Sequence, residues 1–486
     1  MIQSLHILRK DIEHLWSELS LYLILLLAAS ITAPMAWNWG GLSNTPLHLF
    51  ISLLNILLPL IWVILIARLV HDEALVGDTQ FWITRPYFWG SLLSAKLLFI
   101  AVCVVFPFAV MQWALVLQAG VNPFLTIPGQ LIGLLQAALV IWLTLTVVAS
   151  VTSTTQGMLT SVLATLAFWG VALTALGTIA GTRMPLPFAS AIIAIVIGGL
   201  LCSILLYQYA RRHTFASRIA LIATALLFIA LFSCLVEGVF QAPINFFVRH
   251  HYPGSKDGSL KLVFDANHVP TQDTGEGEHV LDKQVFVRLP ITIQGLDPMA
   301  QLDDQNVSFT IDAPGYHYTS PWRPADLQDE TLMLLVPQKE MDASPGSNVH
   351  LQLSEVAQRL LPGTPQIVTA ADEFSIPGNG TCQLLPSLSH DNVSCRYPFE
   401  IASRTMIHTT VADTYCNKAA LTHPAIATLA ARSPHVGPDP TIQILLRLGG
   451  AVCPGTPLTF TAYRPAYNFR LELDIPSIKL NRYLVR

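Results

Sequence analysis

The chain predicts an α-helical polytopic membrane domain of about seven transmembrane helices followed by an all-β, sandwich-like extracytoplasmic domain. Three observations carry that expectation. Apolar runs long enough to cross a bilayer fill the first half, apolar and polar residues alternate in the second, and charge is divided unequally between the two. The 486 residues are 52% hydrophobic and 12% charged, with mean hydropathy +0.51, too apolar for a soluble protein of this length. Up to about residue 240 there are nine Lys or Arg and seven Asp or Glu, against 18 and 24 in the remainder. The expected domains are therefore 1–240, transmembrane with an N-terminal amphipathic helix, and 241–486, extracytoplasmic and β-rich.

A membrane-crossing helix needs about 20 mainly apolar residues. Seven stretches qualify, near Leu19–Trp37, Thr45–Leu69, Leu92–Val116, Gly129–Ser150, Leu159–Ile179, Phe188–Tyr209 and Ile219–Phe240. Pro59 and Pro107 provide kinks, and Gly177 and Gly181 allow close packing inside a bundle or at a subunit interface. Before the first span, Leu5, Leu8, Ile12, Leu15, Trp16 and Leu19 recur at helical spacing, with Arg9, Lys10, Asp11, Glu13 and His14 largely opposite. That pattern reads either as an amphipathic helix in the interface or as an early start to the first span.

Basic residues accumulate on the cytoplasmic side of short loops. With the N-terminus inside, Arg9, Lys10, Arg68, Arg85, Lys96, Arg211, Arg212 and Arg218 fall at that face and Arg183 alone falls outside. The expected location is the cell inner (plasma) membrane, multi-pass, with the tail outside the cytoplasm. Lys96, about a turn into the third span, is expected to snorkel to the cytoplasmic surface.

The tail alternates in period two, as in Val285–Ile293, Val307–Ile311, Val349–Leu353 and Phe469–Ile475, the pattern of half-buried strands. Short strands punctuated by Gly, Pro, Asn and Asp favour a sandwich. Cys382, Cys395, Cys416 and Cys453 lie in this tail. Four cysteines permit three pairings; proximity favours Cys382 with Cys395 and Cys416 with Cys453, and four reduced, buried thiols are the alternative.

Chemistry-bearing motifs are missing from the sequence. There is no G-x-x-x-x-G-K-[ST] loop to cradle a nucleotide phosphate, no G-x-S-x-G elbow, no H-E-x-x-H pair and no kinase signature. The 15 histidines scatter, with His250-His251 the adjacent pair, placed just beyond the last span where solvent or lipid headgroups surround it. The expectation is a chain that is not an enzyme and uses no cofactor or metal, with no nucleic-acid partner. The span centres carry neutral polar groups such as Asn55, Gln112 and Gln136, which weighs against proton-driven transport.

Between the second and third apolar runs lies His71–Lys96, HDEALVGDTQFWITRPYFWGSLLSAK. Asp72, Glu73, Asp78 and Arg85 cannot lie in hydrocarbon, where each charge costs roughly 2.5–3.5 kcal/mol, so the segment faces water. Here the sequence resembles ABC type-2 transporter permeases, whose second span is followed by an acidic residue, a Gly, a Thr-Arg-Pro-like stretch and a Lys opening the third span. The matching residues are Glu73, Gly77, Thr84, Arg85, Pro86 and Lys96, with Phe81 and Trp82 before them. The Leu5–Leu19 segment is similar to that family's elbow helix, and the resemblance covers about residues 1–240.

The resemblance implies a membrane-spanning permease subunit of an ABC-type exporter. Its partners would be a separate ATP-hydrolysing subunit, a second permease subunit (identical or related) and the lipid bilayer. Glu73, Gly77, Trp82, Thr84, Arg85, Pro86 and Lys96 would form the loop resting on the ATPase. The alternative is a membrane-anchored sensor or binding protein whose exported β-domain engages a ligand or an envelope partner.

Overall fold

A computed structural model describes residues 2–35, 46–72, 88–120, 123–152, 154, 156–163, 187–236, 241–254, 260–268, 284–297, 300–313, 315–325, 327–328, 331–343, 348–376, 380–384, 392–398, 407–411, 425–427, 441–447 and 455–484. By contacts the chain divides into two compact units. One comprises Met1–Val171, Ile193–Phe228 and Thr364–Ala462; the other comprises Ala172–Ile192, Ile229–Gly363 and Tyr463–Arg486.

The helices come first. Helix α1 is Ile2–His14, α2 Trp16–Met35 and α3 Pro46–His71. Next, α4 (Trp89–Phe99) runs through a π-helical segment, Ile100–Val105, into α5 (Phe106–Gln118). Likewise α6 (Pro123–Ala137) continues through a π segment, Ala138–Trp142, into α7 (Leu143–Val151), and α8 (Pro187–Arg211) and α9 (Thr214–Val236) follow. Among the described residues four helices are long and apolar enough to cross a membrane: Trp16–Met35, Leu49–His71, Trp89–Gln118 and Thr214–Leu231. Most of the expected fifth span, Leu159–Ile179, lies outside the described residues.

These helices segregate contact rather than polarity. On α2, Leu19, Tyr22, Leu26 and Ala29 are buried while Leu21, Ile24, Leu27 and Ile31 are exposed. On α9, Phe215, Ile219, Ile222 and Leu226 are exposed at three- and four-residue intervals. Apolar stripes of that length are unfavourable in water and suited to lipid. Inside the bundle Trp62, Phe108 and Trp142 pack edge to face, with centroids 5.4–5.9 Å apart. Pro107, which has no N–H to donate, is the second residue of α5, one residue beyond the wider π turn, and the helix continues through it. Tyr22 Oη donates to the Val104 carbonyl at 2.8 Å, fastening α2 to that turn.

The same unit contains strands. A four-stranded antiparallel sheet has the order β11 (Glu373–Ile376), β12 (Gly380–Leu384), β13 (Asn392–Pro398), β16 (Thr441–Arg447). The first part of β17 (Pro457–Ile478) pairs with β10 (Gln366–Thr369) and β14 (Ile407–Val411), and β14 pairs with β15 (Ala425–Ala427). Cys382 and Cys395 are direct cross-strand partners at disulfide-bonding distance, Cα–Cα 4.0 Å. Cys416 and Cys453 lie outside the described residues. Gly120, just past α5, has φ +78° and faces the β11–β12 hairpin: a Cβ there would stand 3.7 Å from Ser375 Oγ and 3.8 Å from Thr381. The far end of α5 and the β11–β12 hairpin therefore meet.

In the other unit β9 (Val349–Pro362) lies between β4 (Gln301–Ala313) and the second part of β17, with β5 (Tyr316–Thr319) and β6 (Arg323–Pro324) on the far side of β4. The strands β2 (Gln284–Leu289), β8 (Thr331–Pro337) and β7 (Leu327–Gln328) form a three-stranded sheet, and β1 (Lys261–Phe264) pairs with β3 (Ile291–Gln294). Pairing is antiparallel and the sheets are open. Val307, Phe309 and Ile311 of β4, Leu351 and Leu353 of β9, Phe469 and Leu471 of β17, and Val287, Leu289, Leu332 and Leu334 share one buried core. Helix α10 (Gln241–His251) packs Val248, followed by Tyr252, on Val356, and α11 (Gln338–Ala343) follows β8.

Candidate functional site

The described residues flanking the His71–Lys96 segment form a layer of charged and polar side chains at one end of the helical bundle. Helix α1 supplies the first part. Ile7, Asp11 and Leu15 repeat every four residues on its buried stripe, so an acid stands in line with apolar anchors. It meets Lys96, whose Nζ lies 2.8 Å from Asp11 Oδ2, and both side chains are almost fully enclosed. Lys96, which the sequence allows to snorkel to the cytoplasmic surface, is enclosed, with its ammonium on the Asp11 carboxylate of α1. Ser4 and Ser94 hydroxyls, 2.9 Å apart, add a second link between α1 and α4.

An ion pair and a histidine–carboxylate contact flank the start of the segment. Arg68, in the last turn of α3, pairs with Glu18 in the first turn of α2; each charge also suits its helix end electrostatically. His14 Nε2 lies 3.2 Å from Asp72 Oδ2, joining the end of α1 to the residue where the described chain breaks off. Arg9–Glu13, at 3.0 Å, is a solvent-exposed pair on one helix and contributes little.

The third part closes the end of α7. A helix leaves its last carbonyls without intrahelical donors, and here three neighbouring helices supply them. His71 Nε2 is 3.0 Å from the Ala149 carbonyl, Gln208 Nε2 donates to Ser150 at 3.2 Å, and Arg218 Nε donates to Val151 at 2.9 Å. Ser217 Oγ donates to Gln208 Oε1 at 2.7 Å, setting the amide's orientation. The ends of α3, α7 and α8 and the start of α9 are thereby tied together, one residue from Asp72.

Of the residues singled out from sequence, Lys96 falls in this layer. Glu73, Gly77, Trp82, Thr84, Arg85 and Pro86 lie outside the described residues. Sequence reasoning missed Asp11, Glu18, Gln208 and Arg218 as structural partners. The four-residue spacing of Ile7, Asp11 and Leu15 was the available signal for the first; the others depend on which helices become neighbours. Among the described residues no three His, Cys, Asp or Glu side chains converge as metal ligands. No protein family, no curated protein and no solved structure matches this chain.

Proposed function

We propose that the chain is the membrane-spanning subunit of an ABC-type exporter, driven by a separate ATP-hydrolysing subunit that docks on the 72–88 segment. In this reading seven helices cross the inner membrane with the N-terminus in the cytoplasm. The β-rich tail, a sandwich-like domain, lies outside it. The observation that carries the proposal is the layer at the segment's two ends. Asp72 is held by His14 and Lys96 by Asp11, so a push on the segment is delivered to α3, α4 and the amphipathic α1 together rather than dissipated in a loose turn. The meeting of Gly120 with the β11–β12 hairpin supports the topology, because it puts the far end of α4–α5 on the same side as part of the tail.

Arg85 is the test. A guanidinium in a water-facing loop adds little to stability but pairs strongly with a carboxylate on a docked partner, for about 1.5–3 kcal/mol. Arg85→Ala is expected to leave abundance and membrane insertion near wild type and to lower partner-stimulated ATP turnover roughly tenfold. Full turnover in the variant would remove the coupling role from this segment.

A further inference from the structure

We infer that the outward face of α10 lies in the lipid headgroup layer and binds anionic phospholipid headgroups, holding the β-rich region that follows at the bilayer surface. The inference rests on reading α9 as a membrane span. Only residues 237–240 separate Val236, at the end of α9, from Gln241, at the start of α10. At roughly 3.6 Å per residue α10 must begin within about 18 Å of the end of α9. It therefore starts at the interface if α9 crosses the bilayer.

The two faces of α10 differ in kind. Asn245, Val248 and Tyr252, spaced by three and four, turn inward. Val248 and Tyr252 pack on Val356 of β9, and Asn245 Oδ1 accepts from Trp322 Nε1 at 2.7 Å. Arg470 N also donates to the Pro253 carbonyl at 3.0 Å. The helix is thus held against this β-rich region from Asn245 to its C-terminal end. Arg249 and His250, three and four residues after Phe246, turn outward with it, and Phe246 is 76% exposed.

Basic residues in a helix's last turn also favour its C-terminal dipole, but that does not account for a phenylalanine held in the open one turn earlier. An aromatic ring beside an arginine on an in-plane helix is the combination that inserts at the headgroup boundary and attracts anionic lipid. Because the opposite face is bonded to the sheet, lipid binding there fixes the height of this β-region above the membrane.

The test uses the full-length chain in nanodiscs, with the photoreactive residue p-benzoylphenylalanine replacing Phe246. Lipid adducts are expected at position 246. Their yield should rise about fivefold when phosphatidylglycerol is added to phosphatidylcholine, the effect of roughly one favourable basic contact. The doubly substituted Arg249→Glu, His250→Glu chain should lose that rise while keeping the β-region folded. Adducts only to a second copy of the chain, no lipid adducts, or a yield indifferent to phosphatidylglycerol would overturn the inference. The same photoreactive residue in place of Ile222, exposed on α9, separates the two readings. Lipid adducts at 222 without any at 246 reject the α10 inference alone, and adducts at neither position reject the α9 span as well.

Discussion

Replacing Lys96 with Ala is expected to destabilise the helical bundle by about 3–5 kcal/mol, the usual cost of stripping one partner from a buried ion pair. The Asp11 carboxylate would remain enclosed without its ammonium partner, and the contact of α1 with α4 would lose its central link. The measurement is the thermal unfolding midpoint of the purified chain, with Asp11→Ala and the double variant completing a cycle. The double variant should lose much less than the two single losses combined, because most of each single loss is the penalty for the charge left behind. The pair Asp11→Leu with Lys96→Met, which fills the space with apolar atoms, should be near neutral or stabilising. Additive losses would show that Asp11 and Lys96 act independently, and that α1 is held to α4 by other contacts.

A comparable effect, opposite in sign, is expected at Glu355. This residue sits on the core face of β9, in the alternation Leu351, Leu353, Glu355, Ala357, and is fully buried. Its cross-strand partners are Val307 and Leu471, and neither carboxyl oxygen has a hydrogen-bond partner among the described residues. Arg323, opposite Val307 on β6, shares the same cross-strand row, but its Nη1 donates to the Leu335 carbonyl at 3.0 Å. Burial pushes the Glu355 carboxyl up from 4.5 to about 8.

The consequence for stability follows from linkage. Below the unfolded-state value both states hold the proton, and Glu355 carries no ionisation cost. As pH rises, the unfolded chain releases its proton while the folded chain retains it, so stability falls from about pH 4.5 to about pH 8 and then levels off. The loss by pH 8 is on the order of 4 kcal/mol. Glu355→Gln should match the wild type near pH 4.5 and be markedly more stable at pH 8, as read from the unfolding of the β-rich region across that range. Identical pH slopes for the two chains would mean that Glu355 is hydrated or paired in solution.

Periodicity accounts for what could be read directly. The alternation in Val307–Ile311, Val349–Leu353 and Phe469–Ile475 lies inside β4, β9 and β17, because one face of each strand is buried. The run Val285–Ile293 reads as one strand but is divided at Pro290 into β2 and β3, which pair with different strands. Six of the seven apolar runs fall on described helices, with ends shifted by up to six residues, and among the described residues four helices are long and apolar enough to cross a membrane. Alternation does not state which strands pair. The reading of β9 stops at Leu353 because the acid at 355 interrupts the apolar pattern, although the strand continues to Pro362. Helical spacing likewise placed Asp11 with the apolar residues, but its polarity assigned it to the other face. In both cases a charged residue occupies a buried position, and the explanation lies in a neighbour distant in sequence or, for Glu355, in a carboxyl kept neutral. The caps on α7 by His71, Gln208 and Arg218 are illegible for the same reason, since they depend on which helices meet.

The central claim, that a separate ATPase drives this chain, is tested most directly by purifying the full-length chain in mild detergent from the membrane in which it is naturally made, after cross-linking in place, and measuring what accompanies it and whether the complex hydrolyses ATP. The account predicts an ATP-hydrolysing subunit in amounts comparable to the chain, with turnover that rises on association. A chain recovered without such a subunit and without ATP turnover would contradict it and favour a membrane-anchored binding or sensor protein.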